Sequence, residues 1–394
     1  MPRSQMFLFG SVAFSRVIYA LCWFNLAAAF PAMSVVFHYS LQTLAYFTSA
    51  FLVGTAIFQV PAGIFSARTG ATKAALIGLS IIGVTSIISA LTGEFYIQTI
   101  TRFFTGVGAA FYFAPAIVIV SDTLGQGKSG LAIGLFNGSF NLGGGLALLI
   151  FTPLSAIFDW RLPFVVCAIL TFLAIAENAY AFKGVVSEVR AEISRVGATL
   201  KSRGIWIAVL AIFGTTSAFY VVSQFDVAYA EGQLRLTPVF AGAISSLTLL
   251  GAVAGAPIGG WLSDRFKNRR LLIALSAVGA GGAIGLFAVQ NPYTPWIAAF
   301  MSGFFVLSAN TIAFAIPIQM PEIGRRYAPI AMGMMNSVGI FGGSIATVIF
   351  ANLVLLFGYD ASWVVLAIFP AVFAPLIYLA IEPFKTKEEA HIKK

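Results

Sequence analysis

Twelve apolar runs follow one another along the chain, near 7–36, 43–66, 73–92, 96–121, 129–156, 161–182, 204–229, 238–262, 271–290, 295–319, 328–357 and 361–382. Each is about twenty residues or more, the length a helix needs to cross a bilayer. Inside hydrocarbon a backbone must satisfy its own hydrogen bonds, so such runs are expected as helices. No water-soluble alternative is available: charged residues make up 9% of the chain and hydrophobic ones 59%, against about 25% charged in soluble domains. A soluble fold of this length could not hide that much apolar surface.

The formal net charge of +9 invites a nucleic-acid reading, which the positions of the charges exclude. Arg68, Lys73, Lys128, Lys183, Arg190, Arg195, Lys201 and Arg203 fall in alternate gaps between runs, as do Arg265, Lys267, Arg269, Arg270, Arg325 and Arg326. The gaps between these hold only Arg161 and Arg235. That asymmetry is the positive-inside pattern, and it predicts a multi-pass protein of the cell (plasma) membrane with both termini cytoplasmic. Its surroundings are the lipid bilayer, with no nucleic acid as partner. Cys22 and Cys167 both lie within apolar runs, so no disulfide framework is expected. The run that follows Arg3 is too long for a signal-peptide core and is read as a retained first span.

An internal repeat sets the organisation. Residues 134–154 read GLFNGSFNLGGGLALLIFTPL, and 333–353 read GMMNSVGIFGGSIATVIFANL. Gly143/Gly342, Gly144/Gly343, Asn137/Asn336 and Phe151/Phe350 are identical pairs at a constant offset of 199 residues. Half a chain length between copies suggests duplication into two equivalent halves. The expected architecture is an all-α membrane protein of twelve transmembrane helices in two pseudo-symmetric six-helix halves. The expected limits are 1–182 and 204–382, a cytoplasmic linker at 183–203 and a cytoplasmic tail at 383–394. Gly143, Gly144, Gly342 and Gly343 are read as close-packing positions between helices.

Polar residues within apolar runs are costly and therefore informative. An arginine at the centre of a span costs roughly 2.5–3.5 kcal/mol on insertion scales. Arg16 and Arg102 are the deepest such charges, with Asn25, Gln224 and Asn310 as amides that could orient a bound solute. Arg16 could equally snorkel towards the cytoplasm, and Arg102 could serve a structural hydrogen bond. Asp226, near the external end of the seventh run, and Glu177, in the sixth, are candidate proton carriers. An external salt bridge with the neighbourhood of Arg235 is the alternative for Asp226.

Two loops carry a shared signature. One runs Gly63-Ile-Phe-Ser-Ala67-Arg68-Thr-Gly70, and the other Gly260-Trp-Leu-Ser-Asp264-Arg265-Phe-Lys-Asn-Arg269. The second resembles the G-x-x-x-D-R-x-G-R-K loop of the major facilitator superfamily, and the first is a degenerate copy with Ala67 at the Asp position. Arg102, Gly106 and Gly108 resemble that superfamily's fourth-helix motif. Asn141 to Gly145 with Pro153, Trp160 and Arg161 are similar to nitrate/nitrite and related anion porters. The second and eighth runs lack the arginines with which nitrate porters clamp their anion. The resemblance implies a rocker-switch transporter with its solute site between the two halves. It also implies that Gly63, Arg68, Gly70, Asp122, Gly260, Asp264, Arg265 and Arg269 form loop latches that change between states, a charge-pair device at helix ends.

The expected function is secondary active transport of a small organic or inorganic anion, coupled to protons or another ion. A desolvated guanidinium binds carboxylates bidentately, which is why two buried arginines point to an anion. Two alternatives remain: a proton-driven exporter of hydrophobic or cationic compounds, and a transport-dead nutrient sensor. An enzyme is not expected, nor a cofactor or metal. His38 and His391 are the only histidines, so triad and zinc chemistry have no material. Alternating access needs one chain, so a monomer is expected.

Overall fold

The computed structural model describes residues 5–123, 129–183, 201–266, 268–289, 291, 293–320 and 323–379. All the regular structure among these residues is helical. We number the long helices α1 (Gln5–Phe37), α2 (Leu41–Thr69), α3 (Ala71–Leu91), α4 (Phe95–Thr123), α5 (Ser129–Ile157) and α6 (Leu162–Ala181). They continue with α7 (Arg203–Gly232), α8 (Pro238–Phe266), α9 (Arg269–Gly285), α10 (Thr294–Phe314) and α11 (Gly324–Phe373). Eleven helices among the described residues are long and apolar enough to cross a membrane.

The count differs from the twelve runs for one local reason. The runs expected at 328–357 and 361–382 lie in the single 50-residue element α11, which is interrupted at Gly358 (φ 78°, ψ 173°). Glycine reaches this conformation without the steric penalty of a Cβ, and Ser362 Oγ donates to the Gly358 carbonyl at 2.6 Å across the break. The run expected at 295–319 also divides. Pro317 has no N–H to give and crowds the carbonyl four residues back, so α10 stops at Phe314 and one separate turn, Ile316–Gln319, follows. The linker residues 184–200 and the tail from 380 lie outside the described residues, as does the side chain of Asp122.

The chain divides into two compact units. The first comprises Met1–Ala191, Ser223–Leu249 and Thr347–Asn352; the second comprises Glu192–Val222, Leu250–Ala346 and Leu353–Lys394.

In the first unit α4 packs on α2 and α3, and α1 packs on α5 and α6. Small residues allow this. A Cβ at Gly54 would run into the Phe103 carbonyl, and one at Gly106 into the Phe51 carbonyl, so α2 and α4 meet backbone to backbone. Gly143 faces the Val17 carbonyl, 2.5 Å from where a Cβ would stand, and Gly144 abuts the Phe24 ring and Leu249. Side chains satisfy backbone and one another across the same contacts. Tyr112 donates to the Val12 carbonyl at 3.0 Å, Ser155 to the Ala28 carbonyl at 3.1 Å and Gln98 Nε2 to the Ser89 carbonyl at 2.8 Å.

The second unit repeats the device. Positions Gly251, Gly255 and Gly259 of α8 lie against the backbone of Phe300, Phe304 and Ser308 in α10. Gly342 faces Phe213 and Ser217, and Gly343 faces Tyr220. A core of Ile205, Ile212, Ile273, Ile312, Met335 and Ile377 fills the space between these helices.

Among the loop-signature residues, Arg68, Asp264 and Arg265 are exposed, and Gly70 ends α2 with φ 100° and its N–H on the Ser66 carbonyl. Gly63 has open space where a side chain would go, and Gly260 only an ordinary contact with Thr311. Arg269 differs from the rest. It is buried, and its Nε donates to Ser263 Oγ at 2.9 Å and its Nη1 to the Ala315 carbonyl at 3.3 Å. One guanidinium therefore ties the start of α9 to the ends of α8 and α10. Hydrogen bonds from a charged group contribute about 1.5–3 kcal/mol, so Arg269→Ala should lower stability by about that amount, read as a drop in the melting midpoint of the detergent-purified protein. Arg265→Ala, at an exposed position, should leave the midpoint nearly unchanged.

Candidate functional site

Both sequence-predicted arginines are buried in the first unit, Arg16 at 4% and Arg102 at 1% exposure. Their surroundings are chemically different. Arg16 sits on α1 inside a cluster of rings: its Cζ is 4.4 Å from the centroid of Tyr19, 4.8 Å from Phe113 on α4, and 4.6 Å from both Phe136 and Phe140 on α5. Ring faces are negative, so stacking on them favours a guanidinium held out of water.

Arg102 is enclosed by α1, α4 and α6. Its Nη1 donates to Asn25 Oδ1 at 3.0 Å, and its Cζ lies 5.4 Å from the Phe164 centroid. The Nε and Nη2 atoms are buried with no hydrogen-bond partner, and no carboxylate among the described residues pairs with the group. Beside it lie two free, buried thiols, Cys22 and Cys167, with Cys22 Sγ 3.4 Å from Thr171 Oγ1. The structure thus joins Arg102 with Asn25 and keeps Arg16 apart. Arg16 and Asn25 are separated on α1 by nine residues, about 13 Å of helix rise.

Gln224 and Asp226 are buried on α7, in the part of that helix that belongs to the first unit. Asp226 Oδ2 accepts from Thr248 Oγ1 on α8 at 3.1 Å, and Oδ1 has no partner. Among the described residues it makes no ion pair, so the salt bridge with the Arg235 neighbourhood is absent here. Glu177 is half-buried on α6. Its neighbour Asn178 donates to Ser15 and, at 2.7 Å, to the Ala174 carbonyl. Asn310 belongs to the second unit, where its Oδ1 accepts from Thr216 Oγ1 at 3.1 Å.

Sequence reasoning missed the ring cluster and the thiols. Phe113, Phe136 and Phe140 are three of 38 phenylalanines, and nothing in their spacing marks them. The available signal was weak: Arg16 and Tyr19 stand three apart on one helix face, where side chains meet.

The chain matches the family model for the Major Facilitator Superfamily over residues 12–328 and again over 233–394. It is similar to the "Probable sulfoacetate transporter SauU" of Cupriavidus necator, with 24% identity over 84% of this chain and 83% of that one. It is also similar to the "Probable anion transporter 6, chloroplastic" of Arabidopsis thaliana, with 22% identity over 93% and 76% of the two chains. Among solved structures, the nucleoside transporter NupG superposes with a TM-score of 0.79 at 12% identity, covering 94% of this chain and 99% of that one. With its fold, its buried intramembrane charges and the family match all in agreement, this multi-pass membrane protein belongs to the Major Facilitator Superfamily of transporters.

Proposed function

We propose that the chain is a secondary active transporter of a small anion, proton-coupled and working by rocker-switch alternating access as a monomer. Its place is the plasma membrane, with both termini cytoplasmic. The observation that carries this reading is Arg102, a guanidinium at 1% exposure with two buried nitrogens that no acceptor among the described residues satisfies. A buried cation with idle donors and no carboxylate is costly unless something negative visits it. The printed names of two relatives, one for sulfoacetate and one for anions, support the same class.

In this reading Arg102 and Asn25 hold the anion at one depth and Arg16 at another. Gln224 and Asn310 orient it, and Asp226, with Glu177 as second candidate, carries the coupling proton. An enclosed carboxylate hydrogen-bonded to one hydroxyl and to no cation is suited to proton exchange.

The test is uptake of labelled carboxylates and sulfonates by proteoliposomes, with and without an inward proton gradient. Gradient-stimulated anion uptake supports the proposal; expulsion of hydrophobic cations without anion flux sinks it. Asp226→Asn should bring gradient-driven uptake down to the level seen without a gradient. Anion exchange between preloaded and external pools should persist, because that half-reaction needs no net proton movement.

A further inference from the structure

We infer that Thr248 is a positioning residue for proton coupling: its hydroxyl holds Oδ2 of Asp226, so the transferred proton is carried on Oδ1, with the Ser245 hydroxyl as its acceptor. This deepens the proton-coupled reading and rests on it.

The first observation is where hydroxyl hydrogens go. Several threonines buried in these helices donate to a carbonyl three or four residues back on their own helix. Thr55 donates to Phe51 at 2.9 Å, Thr105 to Thr101 at 2.7 Å and Thr215 to Ile212 at 2.8 Å. Thr248 departs from that habit and donates across to Asp226 Oδ2 on α7, at 3.1 Å. A threonine hydroxyl has one hydrogen to give, so Oδ2 is an acceptor already in use. Protonating Oδ2 would require that hydrogen to turn away. Oδ1 of the same fully buried carboxyl group has no partner.

The second observation is Ser245. It precedes Thr248 by three residues on α8, a spacing at which side chains share a helix face. It stands beside the same carboxyl group, is fully buried, and its Oγ has no hydrogen-bond partner. One face of α8 thus offers Asp226 an engaged hydroxyl and an idle one. A proton arriving on Oδ1 creates an O–H donor, which Ser245 Oγ has lone pairs to receive. When it leaves, the carboxylate held by Thr248 is restored, and no other covalent bond has formed or broken. Buried polar atoms are ordinarily paired, so the two idle oxygens mark where that hydrogen belongs. The packed elements bring no second charge close by in sequence. On α7 the nearest is Glu231, five positions on, and on α8 Asp264 and Arg265 stand at the far end. α5, against which Gly242 of α8 packs, has none, nor does the stretch 347–352 of α11, whose Phe350 meets Phe225.

The experiment is infrared difference spectroscopy of the full chain in proteoliposomes, between acid and alkaline buffer. Gradient-driven uptake and anion exchange are measured on the same preparations. The carboxyl C=O band of Asp226 is the one lost in Asp226→Asn. With the proton on Oδ1, the carbonyl oxygen is Oδ2, and accepting from Thr248 lowers its stretching frequency. Thr248→Val should therefore move the band to higher frequency, and Thr248→Ser should restore it. The valine variant also removes a donor from the ionised carboxylate. A hydrogen bond to charge is worth about ten- to a hundredfold in an equilibrium, so the ratio of gradient-driven uptake to exchange should fall by that order and recover in Thr248→Ser. Ser245→Ala removes an acceptor from the neutral form and should lower the same ratio by about two- to tenfold.

A band and a ratio both unmoved in Thr248→Val, with only the melting midpoint lowered, would make Thr248 structural and overturn the inference. A band raised by Ser245→Ala and not by Thr248→Val would put the proton on Oδ2, overturning it while leaving proton coupling intact. If Asp226→Asn removes no band while a gradient still drives uptake, the inference alone falls. If it removes no band and wild-type uptake ignores the gradient, the inference and the proton-coupled reading fall together.

Discussion

Arg102→Gln is expected to reduce anion uptake by about 30- to 5,000-fold, corresponding to the about 2–5 kcal/mol lost when one side of a buried charged pair is removed. The glutamine removes the charge while leaving a polar amide on α4 on the side of Asn25. The wild-type donor meets Asn25 Oδ1 at 3.0 Å and has two further buried nitrogens without acceptors. If those nitrogens serve the anion, Arg102→Gln loses binding affinity at equal melting midpoint. Arg102→Lys should recover part of the affinity, as a point charge without the fork geometry. A merely structural Arg102 gives the opposite pattern: the midpoint falls and the affinity per folded molecule stays. Calorimetry and thermal melting on the same preparations separate the two.

Gly106→Leu is expected to abolish the folded first unit. A Cβ at this position meets the Phe51 carbonyl oxygen and, at 2.9 Å, the Thr55 amide nitrogen. Both are backbone atoms of α2, which cannot swing aside as a side-chain tip could. Gly54 presses on the Phe103 backbone from the other side, so the helices approach through a matched pair of glycines. Overpacking a tight contact costs about 1–3 kcal/mol and sometimes more; Gly106→Ala should fall in that range and Gly106→Leu beyond it. Size-exclusion profiles of the two variants in mild detergent check this. Gly63→Leu is the control, since nothing lies within 4 Å of its missing side chain. It should elute as wild type, which would separate the glycines that seat helices from a glycine that belongs only to the loop signature.

The sequence by itself determined the class of molecule. Runs of apolar residues have no stable state in water, and the hydrocarbon core leaves helix as the form in which they can cross it. Run boundaries therefore agree with α1 to α8 to within a few residues, because hydropathy and helix length are local properties. Where they fail, a local backbone event intervenes: Pro317 stops α10 early, and Gly358 breaks α11 without ending it. The buried charges were also legible, since an arginine or aspartate inside a span costs enough to need a reason wherever it points.

What each charge meets was decided by tertiary packing. Arg16 and Arg102 look alike in sequence, two arginines within apolar runs, and both were expected at one anion. Their contacts come from different helices at different depths, α4 and α5 rings for one, an α1 amide and an α6 ring for the other. No spacing rule within a single helix reports which residues of another helix will arrive opposite. Arg269 makes the same point. The loop signature groups Asp264, Arg265 and Arg269 as one latch, yet Asp264 and Arg265 are exposed while Arg269 holds the Ser263 hydroxyl and a carbonyl 46 residues away. Hydropathy fixes which segments enter the membrane; the glycine contacts that seat one helix on another fix which side chains meet there.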